Sequence, residues 1–137
     1  MKKHVVAAVG AIPEGGRIAT TVSGRPIVIF NVEGEFYGLH NRCPHEGGPL
    51  SAGKITGLVQ SSGPGEVSLN RQGQILRCPW HGWEFDIKTG KSYCDPTKVA
   101  ARCYNVAVQP GSQVVEGPFV AETVKVSVED DYVVVEL

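Results

Sequence analysis

At 137 residues the chain has the length of one domain, enough to bury about two-thirds of its unfolded surface without disulfide staples. A formal charge of -1 and a pI near 6.4 argue against nucleic acid or an anionic membrane as partner, and no apolar run approaches a membrane span. The 17 glycines and 9 prolines imply many turns.

Short Val/Ile/Thr/Tyr-rich runs bounded by Gly, Pro, Asn and Asp recur throughout, and none shows sustained helical periodicity, so the chain reads as all-β. Residues 1–10 have the faint look of a leader, two lysines followed by an apolar stretch. The stretch is short, Pro13-Glu14-Gly15-Gly16 follows at once, and neither a small-residue cleavage site nor a twin-arginine motif is present, so a first strand and a cytoplasmic chain are expected. The strands expected next are 4–9, 17–22, 26–32 and 35–39, with Glu33-Gly34 as a tight hairpin turn between the last two. Further strands are expected at 54–59, 66–70, 74–77, 83–86 and 91–93, then at 102–108, 123–128 and 132–136. No internal repeat or flexible linker interrupts them, and residues 61–65 read as a loop tip.

Two short boxes carry the chemistry: Cys43-Pro-His45 and Cys78-Pro-Trp-His81, each contributing one thiolate and one imidazole. Two Cys and two His supply the ligand set of a [2Fe–2S] centre in which one iron takes both sulfurs and the other both nitrogens. A structural zinc is the competing reading, but zinc sites usually pair Cys with Cys and His with His at short spacing. A mixed pair in each box suits two loops that each span from an inner iron to an outer one. Both boxes fall at strand ends and run into Gly/Pro-rich loops, Glu46-Gly47-Gly48-Pro49 after the first and Gly82 after the second. Glycine there lets backbone N–H groups approach cluster sulfurs closely.

At these residues the chain resembles the Rieske [2Fe–2S] family. The runs 41–50 and 78–86 are similar to the two cluster-binding boxes of bacterial Rieske oxygenases and their ferredoxins, and Asp86-Ile-Lys-Thr-Gly90 resembles the turn that follows the second box. The resemblance implies an antiparallel β sandwich with a small inserted lobe, residues 41–97 within a base formed by 1–40 and 98–137, the whole chain 1–137 being a single domain. It implies one [2Fe–2S] cluster held by Cys43, His45, Cys78 and His81, with the imidazole edges nearest solvent. The high-potential respiratory branch carries an extra disulfide between its boxes and hydroxyl donors to the sulfurs. This chain has Gly48 and Trp80 at the disulfide positions and Trp83 and Phe85 at the hydroxyl positions. Hydrogen bonds to the sulfurs favour the reduced cluster, so their absence implies a potential toward about −150 mV, the bottom of the Rieske range.

Two departures from the pattern stand out. The 32 residues between His45 and Cys78 exceed what small ferredoxins usually have, which implies an extended hairpin around 57–73. A second extra segment, 110–122, interrupts what is usually a direct hairpin to the C-terminal strand. Surface loops accept insertions at little cost, so neutral variation is favoured over docking for both.

Few other residues offer chemistry. Only His4 and His40 remain beyond the boxes, too poorly placed for the two-His-one-carboxylate site of a mononuclear iron oxygenase. His40 reads as a packing or loop histidine. Cys94 and Cys103 are too few for a secreted disulfide framework and read as small buried thiols, Cys94-Asp95-Pro96 resembling the proline-bearing loop that covers the cluster in this family. Trp80 and Trp83 bracket His81 and read equally as interface anchors or as packing between the loops. No Gly-rich phosphate loop points to a flavin or nicotinamide site. The expected function is a ferredoxin, an electron carrier and not an enzyme, passing one electron from a flavoprotein reductase to an oxygenase without a small-molecule substrate of its own. The alternative is a Rieske subunit held tightly in a multi-chain oxygenase or other oxidoreductase.

Overall fold

The computed structural model describes residues 3–44, 48–63, 66–79, 84–90, 101–116, 119–120, 126–127 and 129–137. Ten strands are described: β1 (Lys3–Ala8), β2 (Arg17–Val22), β3 (Arg25–Val32), β4 (Glu35–His40), β5 (Lys54–Gly63), β6 (Glu66–Arg77), β7 (Glu84–Asp86), β8 (Cys103–Pro110), β9 (Phe119–Val120) and β10 (Asp131–Glu136). One six-residue helix, α1 (Gly111–Glu116), follows β8. The strands form a seven-stranded sheet in the order β2-β3-β4-β8-β10-β1-β9 and a three-stranded sheet β5-β6-β7. All pairs are antiparallel except β1 with β9.

The run Ile27-Val-Ile-Phe30 in β3 is fully buried because alternate residues serve two cores. Ile27 and Ile29 pack with Val6, Ala7, Val133 and Val135, although three strands separate β3 from β1 in the sheet order. The large sheet therefore curls on itself toward a barrel around this cluster. Val28, Phe30 and Val32 face the other way, against Leu76 and Phe85 of the small sheet. Two hairpins set the register. Glu33 and Gly34 (φ 53° and 89°) form the expected turn between β3 and β4, and Ser23 and Gly24 (φ 49° and 77°) form a second between β2 and β3. Two successive left-handed residues are what a two-residue hairpin needs to match strand twist.

The expected hairpin around 57–73 is present as β5–β6, paired as far as Gly63 and Glu66. The separate strands expected at 66–70 and 74–77 are a single strand, because residues 71–74 stand opposite Gly57 as a bulge and pairing resumes beyond it. Of the strand expected at 83–86, the described part is β7. The strand expected at 91–93 lies outside the described residues. Of 123–128 only 126 and 127 are described, and they belong to no strand.

The second extra segment does not separate its flanking strands. β8 and β10 pair from Pro110–Asp131 to Asn105–Glu136, and the inserted residues leave from the end of that ladder. Gly111 closes the base: its N–H donates to the Asp130 carbonyl at 2.7 Å, and a Cβ on it would collide with the Ser127 carbonyl. Within the insertion, α1 is too short to register as a periodicity, and β9 pairs parallel with Lys3 and His4 at the edge of the sheet.

Candidate metal centre

The two cysteines of the boxes end on one buried cluster. Cys43 follows β4 and Cys78 follows β6, strands of different sheets, and both are 3% exposed among Leu50, Leu76, Phe85, Ile87 and Ala101. The first box loop is closed by the Cys43 N–H donating to the Gly48 carbonyl at 2.7 Å. Asn41 anchors its entry: the Asn41 amide donates to Ser51 Oγ at 2.9 Å, and the Ser51 N–H donates to Asn41 Oδ1 at 2.7 Å. Beyond the loop, Arg17 Nη1 donates to the Gly53 carbonyl, tying this segment to β2.

After the second box the chain turns as its sequence implies. Asp86 Oδ1 accepts from the Lys88 N–H at 2.9 Å, the Asp86 carbonyl accepts from the Gly90 N–H at 2.7 Å, and Gly90 adopts φ 75°. Gly90 then exchanges with the opposite segment, its carbonyl accepting from the Ala101 N–H at 2.8 Å. A Cβ at Gly90 would run into the Ala101 carbonyl, so this close approach as well as the positive φ requires glycine.

His45, His81, Trp80, Trp83 and Cys94 lie outside the described residues. The donor chemistry fits the thiolate side of a [2Fe–2S] cluster: two thiols from separate loops reach one apolar core, with no third Cys in it among the described residues. Phe85 is buried in the same core and carries no hydroxyl, and Gly48 is buried and has no side chain to form a disulfide. Among the described residues no group of three or more His, Cys, Asp or Glu side chains gathers to hold a metal ion.

The remaining expectations are answered in part. His4 is buried in β1, opposite Val135. His40, at the end of β4, places Nδ1 3.2 Å from the Tyr104 hydroxyl. Burial holds its pKa below the ordinary imidazole value, helped by the positive charges of Arg42, Arg102 and Arg25. Cys103 corrects the expectation of a buried thiol. It is exposed, because on β8 it points outward while its neighbour Tyr104 points into the core. Its thiol pKa is nevertheless raised, by local desolvation first and then by the nearby Asp86 carboxylate.

Sequence reasoning missed Asn41 and Asn31. Asn31 sits at a core-facing position of β3, donating to the Ile12 carbonyl and accepting from the Gly34 N–H, both at 2.8 Å. The visible signal was one polar residue inside an otherwise apolar run, which demands partners when buried.

Comparison with known proteins agrees with this geometry. Over 98 residues the chain is 31% identical to the ferredoxin component of the naphthalene 1,2-dioxygenase/salicylate 5-hydroxylase systems of Ralstonia sp, covering 72% of this chain and 79% of that protein. It is 29% identical over 119 residues to the 3-phenylpropionate/cinnamic acid dioxygenase ferredoxin subunit of Escherichia coli (strain K12), covering 86% and 96% of the two. The fold is shared with the ferredoxin of carbazole 1,9a-dioxygenase from Nocardioides aromaticivorans IC177, at TM-score 0.63 and 19% identity over 97% of each chain. The family model for the Rieske [2Fe-2S] domain matches residues 2–105, and the chain belongs to the Rieske [2Fe–2S] family.

Proposed function

We propose that this chain is a Rieske-type ferredoxin, a one-electron carrier between a flavoprotein reductase and the oxygenase of an aromatic-ring dioxygenase system. The observation that carries the reading is the meeting of Cys43 and Cys78, from two sheets, in one buried core of a Rieske chain whose relatives are ferredoxin components. A [2Fe–2S] cluster supplies reversible one-electron chemistry when bound, with imidazole ligation raising its potential over that of an all-thiolate cluster.

In this reading Cys43, His45, Cys78 and His81 are the four ligands. The apolar side chains around the cysteines exclude water from the sulfurs, and the loop closure at Gly48 and the Asn41–Ser51 pair hold the first box in place before the cluster enters. His45 and His81 are the electron port. Residues 41–97 act as the cluster-binding lobe of a single domain spanning 1–137, the remainder serving as base. The protein works in the cytoplasm; among the described residues no helix is long and apolar enough to cross a membrane.

The test is an electron paramagnetic resonance spectrum of the dithionite-reduced protein with its visible spectrum. A mixed His/Cys [2Fe–2S] signal that disappears in both Cys43→Ser and His81→Ala supports the assignment. Retention of the signal in either variant overturns the ligand set, and a colourless zinc protein overturns the function.

A further inference from the structure

The strand registers sort the charged residues to opposite ends of the large sheet. At the end from which the first box departs, Asn41 N–H donates to the Pro26 carbonyl at 2.9 Å and His40 N–H to the Arg102 carbonyl at 2.8 Å. These bonds bring Arg25, Arg42 and Arg102, all exposed, to neighbouring strand ends around His40. The Arg102 guanidinium lies 5.3 Å from the centre of the Tyr104 ring, which fixes one of the three charges against the sheet. In the small sheet Arg77 immediately precedes Cys78, with Lys54 opposite it on β5 and Glu84 on β7. Each box cysteine is thus preceded by an exposed arginine.

The opposite end is acidic. Glu33 and Glu35 flank the β3–β4 turn, and the ladder between Pro110 and Asp131 carries Asp131, with Glu129 and Asp130 beside it, to that same end. Glu14 joins them, because the next residue, Gly15, donates to the Asn31 carbonyl. All six carboxylates are exposed. Arg17 also lies there, engaged with the Gly53 carbonyl and the Phe30 ring, while Lys3 and Glu136 face each other on β1 and β10 nearer the basic end. Lys2, Glu46, Lys91, Asp95, Lys98, Glu122 and Lys125 lie outside the described residues. A chain of net charge -1 therefore presents a positive pole where the cysteine boxes are and a negative pole at the far end.

We propose that Arg25, Arg42, Arg77 and Arg102 form a docking pole that orients the cluster end of this chain onto an acidic face of its redox partner protein. The inference rests on the proposed function, since it makes the charged end and the electron port the same end. Such a field raises productive encounter rates by aligning the molecule before contact, and it fades once salt shortens the screening length to about 10 Å at 0.1 M.

The dithionite-reduced holoprotein is mixed in stopped flow with an anionic oxidant, tris(oxalato)cobaltate(III), and with a cationic one, tris(phenanthroline)cobalt(III). Each takes one electron from the protein and becomes cobalt(II). From about 0.01 M to about 0.1 M salt the rate with the anion falls severalfold, up to about tenfold, and the rate with the cation rises. The double variant Arg42→Glu/Arg102→Glu reverses both trends while keeping its spectrum. Arg25→Glu, at the exposed start of β3 and not next to a cysteine in the chain, weakens them and serves should the double variant fail to load. Poly-L-glutamate added to the wild type shifts the arginine Nε–H resonances in nuclear magnetic resonance spectra, a readout that needs no electron transfer. Equal salt dependence for the two oxidants, or unmoved arginine resonances, overturns the docking pole. A wild type without the cluster spectrum overturns the proposed function instead.

Discussion

The backbone N–H of Cys43 donates to the carbonyl of Gly48 at 2.7 Å, closing the first ligand loop on itself. The cysteine is thereby aimed into the core by a bond that needs no metal. Cys43→Ser keeps this backbone bond and replaces only the sulfur. The expected outcome is a folded but colourless protein, with far-ultraviolet circular dichroism unchanged and the visible bands gone.

Asn41 and Ser51 hold the same loop from outside, by two bonds of 2.9 and 2.7 Å. Asn41→Ala leaves the Ser51 N–H without this acceptor. A loss of about 1–3 kcal/mol is expected in urea unfolding, together with faster bleaching of the visible absorbance. Unchanged values of both would show that the pair does not brace the loop.

Gly90→Ala forces a side chain into φ 75° and against the Ala101 carbonyl. The expected penalty exceeds about 2 kcal/mol, because strain and collision add. Thermal unfolding measures it directly.

Phe85 occupies a fully buried position of the cysteine core. A hydroxyl donated to a cluster sulfur stabilises the reduced state, so Phe85→Tyr is expected to shift the potential upward. One hydrogen bond of about 1 kcal/mol corresponds to a shift on the order of 50 mV for one electron. Redox titration of the wild type is expected near about −150 mV, the low end of the Rieske range. A wild-type value several hundred millivolts higher would refute the low-potential assignment.

His40 has a pKa below its ordinary value in the folded chain, through burial and then through Arg42, Arg102 and Arg25. The unfolded chain therefore binds more protons than the folded one as acid is added, and stability rises with pH. This contribution is fully present above the ordinary pKa of about 6.5 and is lost as pH falls through the lower folded value. Ring-proton titration should give the depressed value, and His40→Gln should flatten the change in urea midpoint across that window. A ring pKa at or above the ordinary value would contradict it.

Strand placement was legible because alternating and continuous apolar runs between turn residues report directly on burial, and β2 begins and ends at the expected residues. The ligand boxes were legible because metal-ligating chemistry admits few residue types at short, local spacing. The bulge that joins 66–77 into one strand was not, since it depends on what lies across the ladder from Gly57. Nor was α1, whose six residues are too few for a helical period.

Cys103 shows the same limit from another side. Its residue type favours burial, while its parity on β8 turns it outward. The Asn31 and Asn41 bonds connect residues ten or more positions apart, beyond the reach of any local pattern, except for the turn at Gly34.

From the sequence alone came the all-β class, the two mixed boxes and the lack of hydroxyl donors, because each is a property of short segments. Only the tertiary structure decided that both cysteines share one apolar core and that arginines from three separate segments meet beside them. Those facts arise from pairing between distant strands, where register places residues together whatever their separation along the chain.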